Sequence, residues 1–384
     1  MKQLDLEFFD TFECIGSDCP DTCCRGWGIT VDDNTAEIYL NTQGAFGERL
    51  KEIIMKTEGK YSIRLRDGQC PLLNSDNLCE IYRELGPDKM CETCRTYPRI
   101  SWYHGDILFH GLTISCPEAC RMVLSHRASI NFSFAEAETN ILPSPDQNWS
   151  LFNTLIDGMI TSVRIMQNRD FSIFTRLRLL VSFNDMLQSA LDAENDEECQ
   201  ILLNAFSDPA QLSILSQEVS ESQINLISLF TFTVHFYKNI GSFSVSNYVR
   251  SYIDHLPKTM AYCNSLLSQP LAEDFLDDIS LDPYDIRYEQ YAVYYLTRYY
   301  MNAYEKDGNL NKIIANFIYL FCLHRIFAFG VYHEKGDRLR LDDLIPIYTG
   351  ISRFLEHNSL NPNRLYEIFS DSDMTDSTFL FSLI

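Results

Sequence analysis

Beyond residue 146, apolar residues recur at three- and four-residue spacing along most of the chain; before it they rarely do. That period belongs to helices that bury one face. It predicts helices over 149–167, 173–191, 222–238, 244–268 with a break or kink at Pro257, 284–304, 311–332 and 345–357, and shorter ones near 197–206 and 362–370. The earlier residues read instead as short segments punctuated by turn residues: Gly16-Ser17-Asp18, Arg25-Gly26-Trp27-Gly28, Arg66-Asp67-Gly68, Leu85-Gly86-Pro87-Asp88 and His104-Gly105-Asp106. Between these, strands are expected at 28–31 and 62–65 and helices at 35–56 and 77–84. The expected fold is mostly α, with a small loop-rich α+β cysteine-cluster domain over 1–140 followed by a larger helical domain over 141–384. The linker is expected at 142–149, which opens Leu142-Pro143-Ser144-Pro145-Asp146.

The most apolar stretch, 313–329, is interrupted by Asn316, His324 and Arg325 and falls short of the roughly 20 apolar residues that span a bilayer. It is expected as a buried helix, with no membrane partner. Asp5 and Glu7 stand where an export signal needs a basic start and an apolar run, so a cytoplasmic location is expected. A formal charge of −22 repels phosphate backbones and anionic lipid surfaces. Nucleic acid is therefore excluded as a partner, and a cationic partner, such as a lysine-bearing protein or a sulfonium, fits the field. The oligomeric state leaves no mark in the sequence.

Cysteine changes the picture more than charge does. Ten of the 13 cysteines fall between Cys14 and Cys120, while Cys199, Cys263 and Cys322 are scattered and read as small buried hydrophobes. In a reducing compartment, clustered thiols hold metal or do redox work. They form three groups: Cys14, Cys19, Cys23 and Cys24; Cys70, Cys79, Cys91 and Cys94; and Cys116 with Cys120. Short loops let thiolates converge on one point, and longer gaps recruit ligands from separate loops. Only Cys91-Glu92-Thr93-Cys94 has the tight spacing of a structural zinc site, so an iron–sulfur cluster is expected, with zinc as the alternative metal. Cys116 and Cys120 lack the third partner of the Cys-x3-Cys-x2-Cys pattern of radical enzymes. Neighbouring side chains diverge, so at most one of Cys23 and Cys24 ligates a given cluster. A cubane needs four thiolates, which leaves several in surplus.

At these residues the chain resembles the bacterial flagellin lysine N-methylases. The resemblance rests on Cys14-Ile15-Gly16-Ser17-Asp18-Cys19-Pro20-Asp21-Thr22-Cys23-Cys24-Arg25-Gly26-Trp27, running on through Gly28-Ile29-Thr30-Val31-Asp32. It also rests on Cys70-Pro71-Leu72-Leu73, Leu78-Cys79-Glu80-Ile81-Tyr82, Cys91-Glu92-Thr93-Cys94-Arg95-Thr96-Tyr97-Pro98-Arg99 and Ile114-Ser115-Cys116-Pro117-Glu118-Ala119. A wider set of cysteine-cluster proteins, described as zinc or iron chelators, shares this core, but the length and helical remainder match the methylases. The resemblance implies a 4Fe-4S cluster, S-adenosylmethionine as methyl donor, and lysine side chains of flagellin as acceptors in the cytoplasm. The implied metal ligands are four per cubane from Cys14, Cys19, Cys23, Cys24, Cys70, Cys79, Cys91, Cys94 and Cys116. Cys120 stands where the family has a small apolar residue and is left out.

No Gly-x-Gly-x-x-Gly loop follows a strand, so a Rossmann-type donor site is not expected; a crevice between the two regions is. In the 284–304 helix, Tyr288, Tyr291, Tyr295 and Tyr299 share one face, with Tyr294, Tyr300 and Tyr304 spread further round. Such a stripe is either a packing face or a cation–π cradle for a sulfonium or ammonium. A lysine amine with a reference pKa of about 10.4 must lose a proton before attacking a methyl group. Tyr291, Tyr295 and Glu289 are the candidate catalytic residues, with Asp285 beside them and His324 read as core; through the resemblance, Glu289-Gln290-Tyr291 corresponds loosely to a Glu-Asn-Tyr-like stretch that the family often carries. Two other readings are a non-catalytic metal store or delivery protein, and a redox sensor built on the surplus thiols.

Overall fold

The computed structural model describes residues 2–136, 148–220, 225–243, 284–305, 308–335, 339–357 and 361–384. The expected linker, all but its last two residues, the helix expected at 244–268 and Cys263 lie outside them. The amino-terminal part contains β1 Lys2–Leu6, β2 Ile29–Val31, α1 Asp33–Asn41, α2 Gly44–Ile53, β3 Ile54–Thr57, β4 Lys60–Ile63, α3 Glu80–Leu85, α4 Glu92–Thr96, β5 Arg99–His104, β6 Ile107–Leu112, α5 Pro117–Ser125 and β7 Phe132–Glu136. The remainder is helical: α6 Trp149–Gln167, α7 Ile173–Asp192, α8 Asp196–Ser207, α9 Pro209–Ser220, α10 Leu226–Asn239, α11 Tyr284–Tyr299, α12 Leu310–Lys335, α13 Leu341–Glu356, α14 Asn361–Ser370 and α15 Ser377–Leu383. The chain is mostly α, with a small α+β region ahead of a larger helical one.

Two features of the amino-terminal region differ from the sequence reading. The helix expected at 35–56 is two helices followed by the start of β3; the helices part where Gly44 sits at φ +80° and a Cβ at Gly47 would lie 1.9 Å from the Thr42 carbonyl oxygen. The second is a four-stranded sheet, ordered β5-β6-β1-β7, that the sequence did not reveal. Its centre is β1, which pairs parallel with β6 (Leu4 opposite Phe109) and antiparallel with β7. Strand β1 is only five residues long, and its partners lie more than a hundred positions away, so no local pattern announces the pairing. The smaller sheet, ordered β2-β4-β3, contains the two strands that were expected.

The sheet and the helices share one core. Leu4, Phe109, Val123 and Leu124 pack in the same buried cluster as Leu155, Leu177 and Phe317. A second cluster, built on Ile29, Val31, Tyr39, Leu50 and Leu72, lies around the small sheet and contains Cys70 and Cys91. Helix α12 is long and apolar enough to cross a membrane, yet 94% of its most apolar window is buried inside the fold, as a core helix requires. Its Arg325, 2% exposed, lies over the rings of Phe174 and Phe321 at 5.1 and 5.4 Å.

Candidate functional site

Local hydrogen bonds dock the cysteine loops onto the small sheet. Asp32 caps α1 by accepting from the Thr35 backbone at 3.0 Å, and its second oxygen accepts from the Glu92 backbone at 3.0 Å. Thr93 Oγ1 donates to the Thr30 carbonyl at 2.8 Å, and the Tyr39 hydroxyl links the Lys89 carbonyl (2.9 Å) with the Cys91 N–H (3.1 Å). The Cys91–Cys94 turn is therefore seated on β2 and α1. The Cys70 N–H donates to the Cys24 carbonyl at 2.8 Å, which fastens the second loop to the first.

The result is a packed group of Cys24, Cys70, Cys79, Cys91 and Cys94 within the small core, all of them free thiols. The Cys24 sulfur accepts hydrogen bonds from Cys23 and Cys70, which pull its thiol down to about 3. Giving those bonds, with burial added, drives Cys23 and Cys70 up. Cys94 likewise donates a hydrogen bond to Cys91, which falls below the ordinary thiol value while Cys94 rises. In each set the accepting sulfur, Cys24 or Cys91, is the one favoured as thiolate, and its donors hold their protons. The donor set is sulfur alone, Cys70 and Cys91 buried and the others half-buried, and is gathered from three separate loops, which fits a thiophilic metal or an iron–sulfur cluster. Among the described residues no group of three or more His, Cys, Asp or Glu is closed tightly enough to hold a single metal ion. The fit lies in the donor chemistry, not in a finished coordination sphere.

Cys14, Cys19 and Cys116 form a second neighbourhood, in which Cys19 feels the charge of Cys14 and Cys116 that of both, and Cys23 faces Cys14 and Cys116. Cys14 is exposed, Cys19 is half-buried, and Cys116 is buried against Phe12, Leu112 and Ala119. The nine expected ligands thus fall into two groups that meet at Cys23 and Cys24. Cys120 is fully buried in the main core, as are Cys199 and Cys322. The second group abuts the helical half. Trp27 donates to the Cys23 carbonyl at 2.7 Å, and its ring lies 5.4 Å from those of both Tyr97 and His357.

Helix α11 is buried on all sides rather than along one stripe, with Tyr288, Tyr291, Tyr294 and Tyr295 at most 5% exposed. Tyr295 donates to the Ile313 carbonyl at 3.2 Å, and Tyr291 packs against Phe317, His324 and Tyr348. His324 stacks on Tyr348 at 3.9 Å, and burial brings its pKa down to about 3, so the ring is neutral. Glu289 is fully buried, and both of its oxygens are occupied: Arg169 meets them at 2.8 and 2.9 Å, and Arg176 adds a contact at 3.0 Å. The side chain of Asp285 lies outside what is described.

A carboxylate that sequence reasoning passed over is better placed. Glu356, at the end of α13, accepts from Thr113 Oγ1 at 2.7 Å, from the Tyr294 hydroxyl at 2.7 Å, and from Ser352. It lies where the cysteine region, through the loop before Cys116, meets α11. Its sequence signal is nil, since an isolated Glu at a helix end is commonplace. Only the approach of three elements singles it out.

The model of the FliB lysine N-methylase C-terminal domain matches residues 160–383, more than half of the chain. The chain belongs to the FliB lysine N-methylase family. A lysine-N-methylase of Salmonella choleraesuis (strain SC-B67) is 22% identical to this FliB-family chain over 388 residues, covering 94% of each. The flagellar biosynthetic protein FliU of Salmonella muenchen is 32% identical over 135 residues, 33% of this chain and 80% of FliU. A lysine-N-methylase of Salmonella typhimurium is 30% identical over 135 residues, 33% of this chain and 34% of its own. No solved structure matches.

Proposed function

We propose that this FliB-family chain is a protein lysine N-methyltransferase that moves a methyl group from S-adenosylmethionine to lysine side chains of flagellin, in the cytoplasm. The observation that carries the reading is the family match across 160–383, joined to near full-length similarity to a lysine-N-methylase. The flagellar name of the FliU relative supports a flagellar protein as substrate. The acidic surface, −22 overall, suits a lysine-bearing partner.

A cysteine-ligated iron–sulfur cluster, 4Fe-4S, is proposed on the thiols of the two groups, with Cys24, Cys70, Cys79, Cys91 and Cys94 as the inner set and zinc as the other candidate metal. When bound, a cluster supplies soft Lewis-acid or one-electron chemistry. The chain's own residues do the rest. Tyr39 and Asp32 hold the Cys91–Cys94 turn in place. The tyrosines of α11 pack out of water beside the junction, which strengthens the electrostatic interactions of their own hydroxyls.

The test is anaerobic incubation of the purified protein with S-adenosylmethionine and flagellin, read by the mass of flagellin peptides, alongside iron, sulfide and zinc analysis. Lysines heavier by a methyl group, in protein with near-equal iron and sulfide, are the expected result. Unmodified flagellin would sink the enzymatic reading and favour a metal-delivery protein, and colourless zinc protein would sink the cluster.

A further inference from the structure

Glu356 differs from the other buried acid of the helical region in what surrounds it. Glu289 is neutralised by two guanidinium groups. Glu356 is half-buried and held by three hydroxyls, and no Lys, Arg or His among the described residues makes an ion pair with it. A carboxylate partly removed from water and without a direct ion pair leans on its hydrogen bonds and can accept a visiting cation. Arg298, the cation of α11 that faces this region, feels the charge of Glu356 without pairing directly with it, and lies over the rings of Trp102 and Tyr299 at 4.5 and 5.4 Å.

Resting on the methyltransferase reading, we infer that Glu356 is the catalytic carboxylate that receives the substrate lysine's ammonium and takes its proton. Thr113, Ser352 and Tyr294 each carry a hydroxyl that can donate to the ionised carboxylate or turn to accept from the protonated one, so the group is supported in both states. With water excluded, the neutral pair of amine and carboxylic acid gains on the ion pair, because separated charge is poorly solvated in a low dielectric. The lysine nitrogen then attacks the sulfonium methyl. The N–C bond forms, the S–C bond breaks with its electron pair left on sulfur, and positive charge moves from sulfur to nitrogen. The proton held on Glu356 passes to water as product leaves. Partial exposure of Glu356 provides the route for both lysine and proton.

The experiment is single-turnover transfer of labelled methyl from S-adenosylmethionine to flagellin by the anaerobically purified, metal-loaded protein. Glu356→Gln keeps the shape and removes the charge; it is expected to lower the rate about 10²- to 10⁴-fold, the range for a lost acid–base group, with metal content unchanged. A rate within about threefold of wild type overturns the assignment. Tyr294→Phe is the second arm and guards against a Gln variant that fails to fold. It removes one donor to the carboxylate, so the acid limb of the pH–rate profile is expected to move to higher pH. The charged or titratable groups around Glu356 are Tyr291, Tyr294, Arg298 and Tyr299 on α11, Arg353 on its own helix and His357 after it; the variant leaves the others in place. An unmoved acid limb overturns the role. Wild-type protein that transfers no methyl overturns the enzymatic reading itself, whereas active wild type with an equally active Gln variant overturns only the role of Glu356.

Discussion

Arg353 on α13 reaches across to the cysteine region and meets Asp21, with Nη1 2.5 Å from Oδ2. The same guanidinium donates through Nε to the Ser115 carbonyl at 3.0 Å, and the Asp21 carbonyl accepts from the Cys19 thiol at 3.2 Å. One side chain, 1% exposed, thereby ties the loop of Cys19 and the loop before Cys116 to the helical half. Arg353→Ala removes the cation from a partly buried carboxylate. The expected loss is about 3–5 kcal/mol of stability, the cost of breaking a buried pair, measured by urea unfolding. A midpoint equal to wild type would show that the tie is dispensable.

Glu289→Gln should separate structure from chemistry. It leaves Arg169 and Arg176 facing a neutral group, with Arg176 itself buried, so the melting temperature should fall clearly. The methyl-transfer rate per folded molecule should stay near wild type. Loss of rate with an unchanged melting temperature would return Glu289 to the catalytic set.

Metal content should divide the cysteines. Cys91→Ser or Cys24→Ser removes a sulfur from the buried group and is expected to abolish bound metal in anaerobically purified protein. Cys120→Ala, in the main core, is expected to keep it and to cost only about 1 kcal/mol of packing. Elemental analysis and the optical spectrum decide, and equal metal loss in all three would refute the division.

Two buried histidines make stability sensitive to acid. Burial, and secondarily Arg298, brings the pKa of His104 down to about 4, and burial brings that of His324 down to about 3, against about 6.5 in the unfolded chain. Between those values the unfolded state binds protons that the native state refuses. Stability is therefore complete above pH 6.5 and falls as pH drops, by about 1.4 kcal/mol per pH unit for each ring. Urea midpoints at pH 7.5, 5.5 and 4.5 should decline, and His104→Phe should flatten the decline.

Gly158 on α6 has no room for a methyl group. A Cβ there would lie 2.6 Å from the Tyr300 hydroxyl, which is itself committed to Asn184 at 2.7 Å. Gly158→Ala is expected to destabilise by about 1–3 kcal/mol through overpacking, visible as a lower melting temperature.

The sequence alone determined the helices with strong apolar period, from α6 to α8 and from α11 to α13, because 3.6-residue periodicity is a local property written into each segment. It also marked the cysteine loops, since clustered thiols are conspicuous wherever they lie. Tertiary structure alone decided which thiols meet: Cys24 touches Cys70 because a backbone hydrogen bond joins their loops, and no spacing rule contains that. The β1-centred sheet was hidden for the same reason, its ladder joining residues near 4 and 109. Glu289 and Glu356 look alike in the sequence. One became a clamped ion pair and the other a carboxylate among hydroxyls because the charge that reaches a side chain depends on distant elements folding against it, a relation that local pattern does not encode.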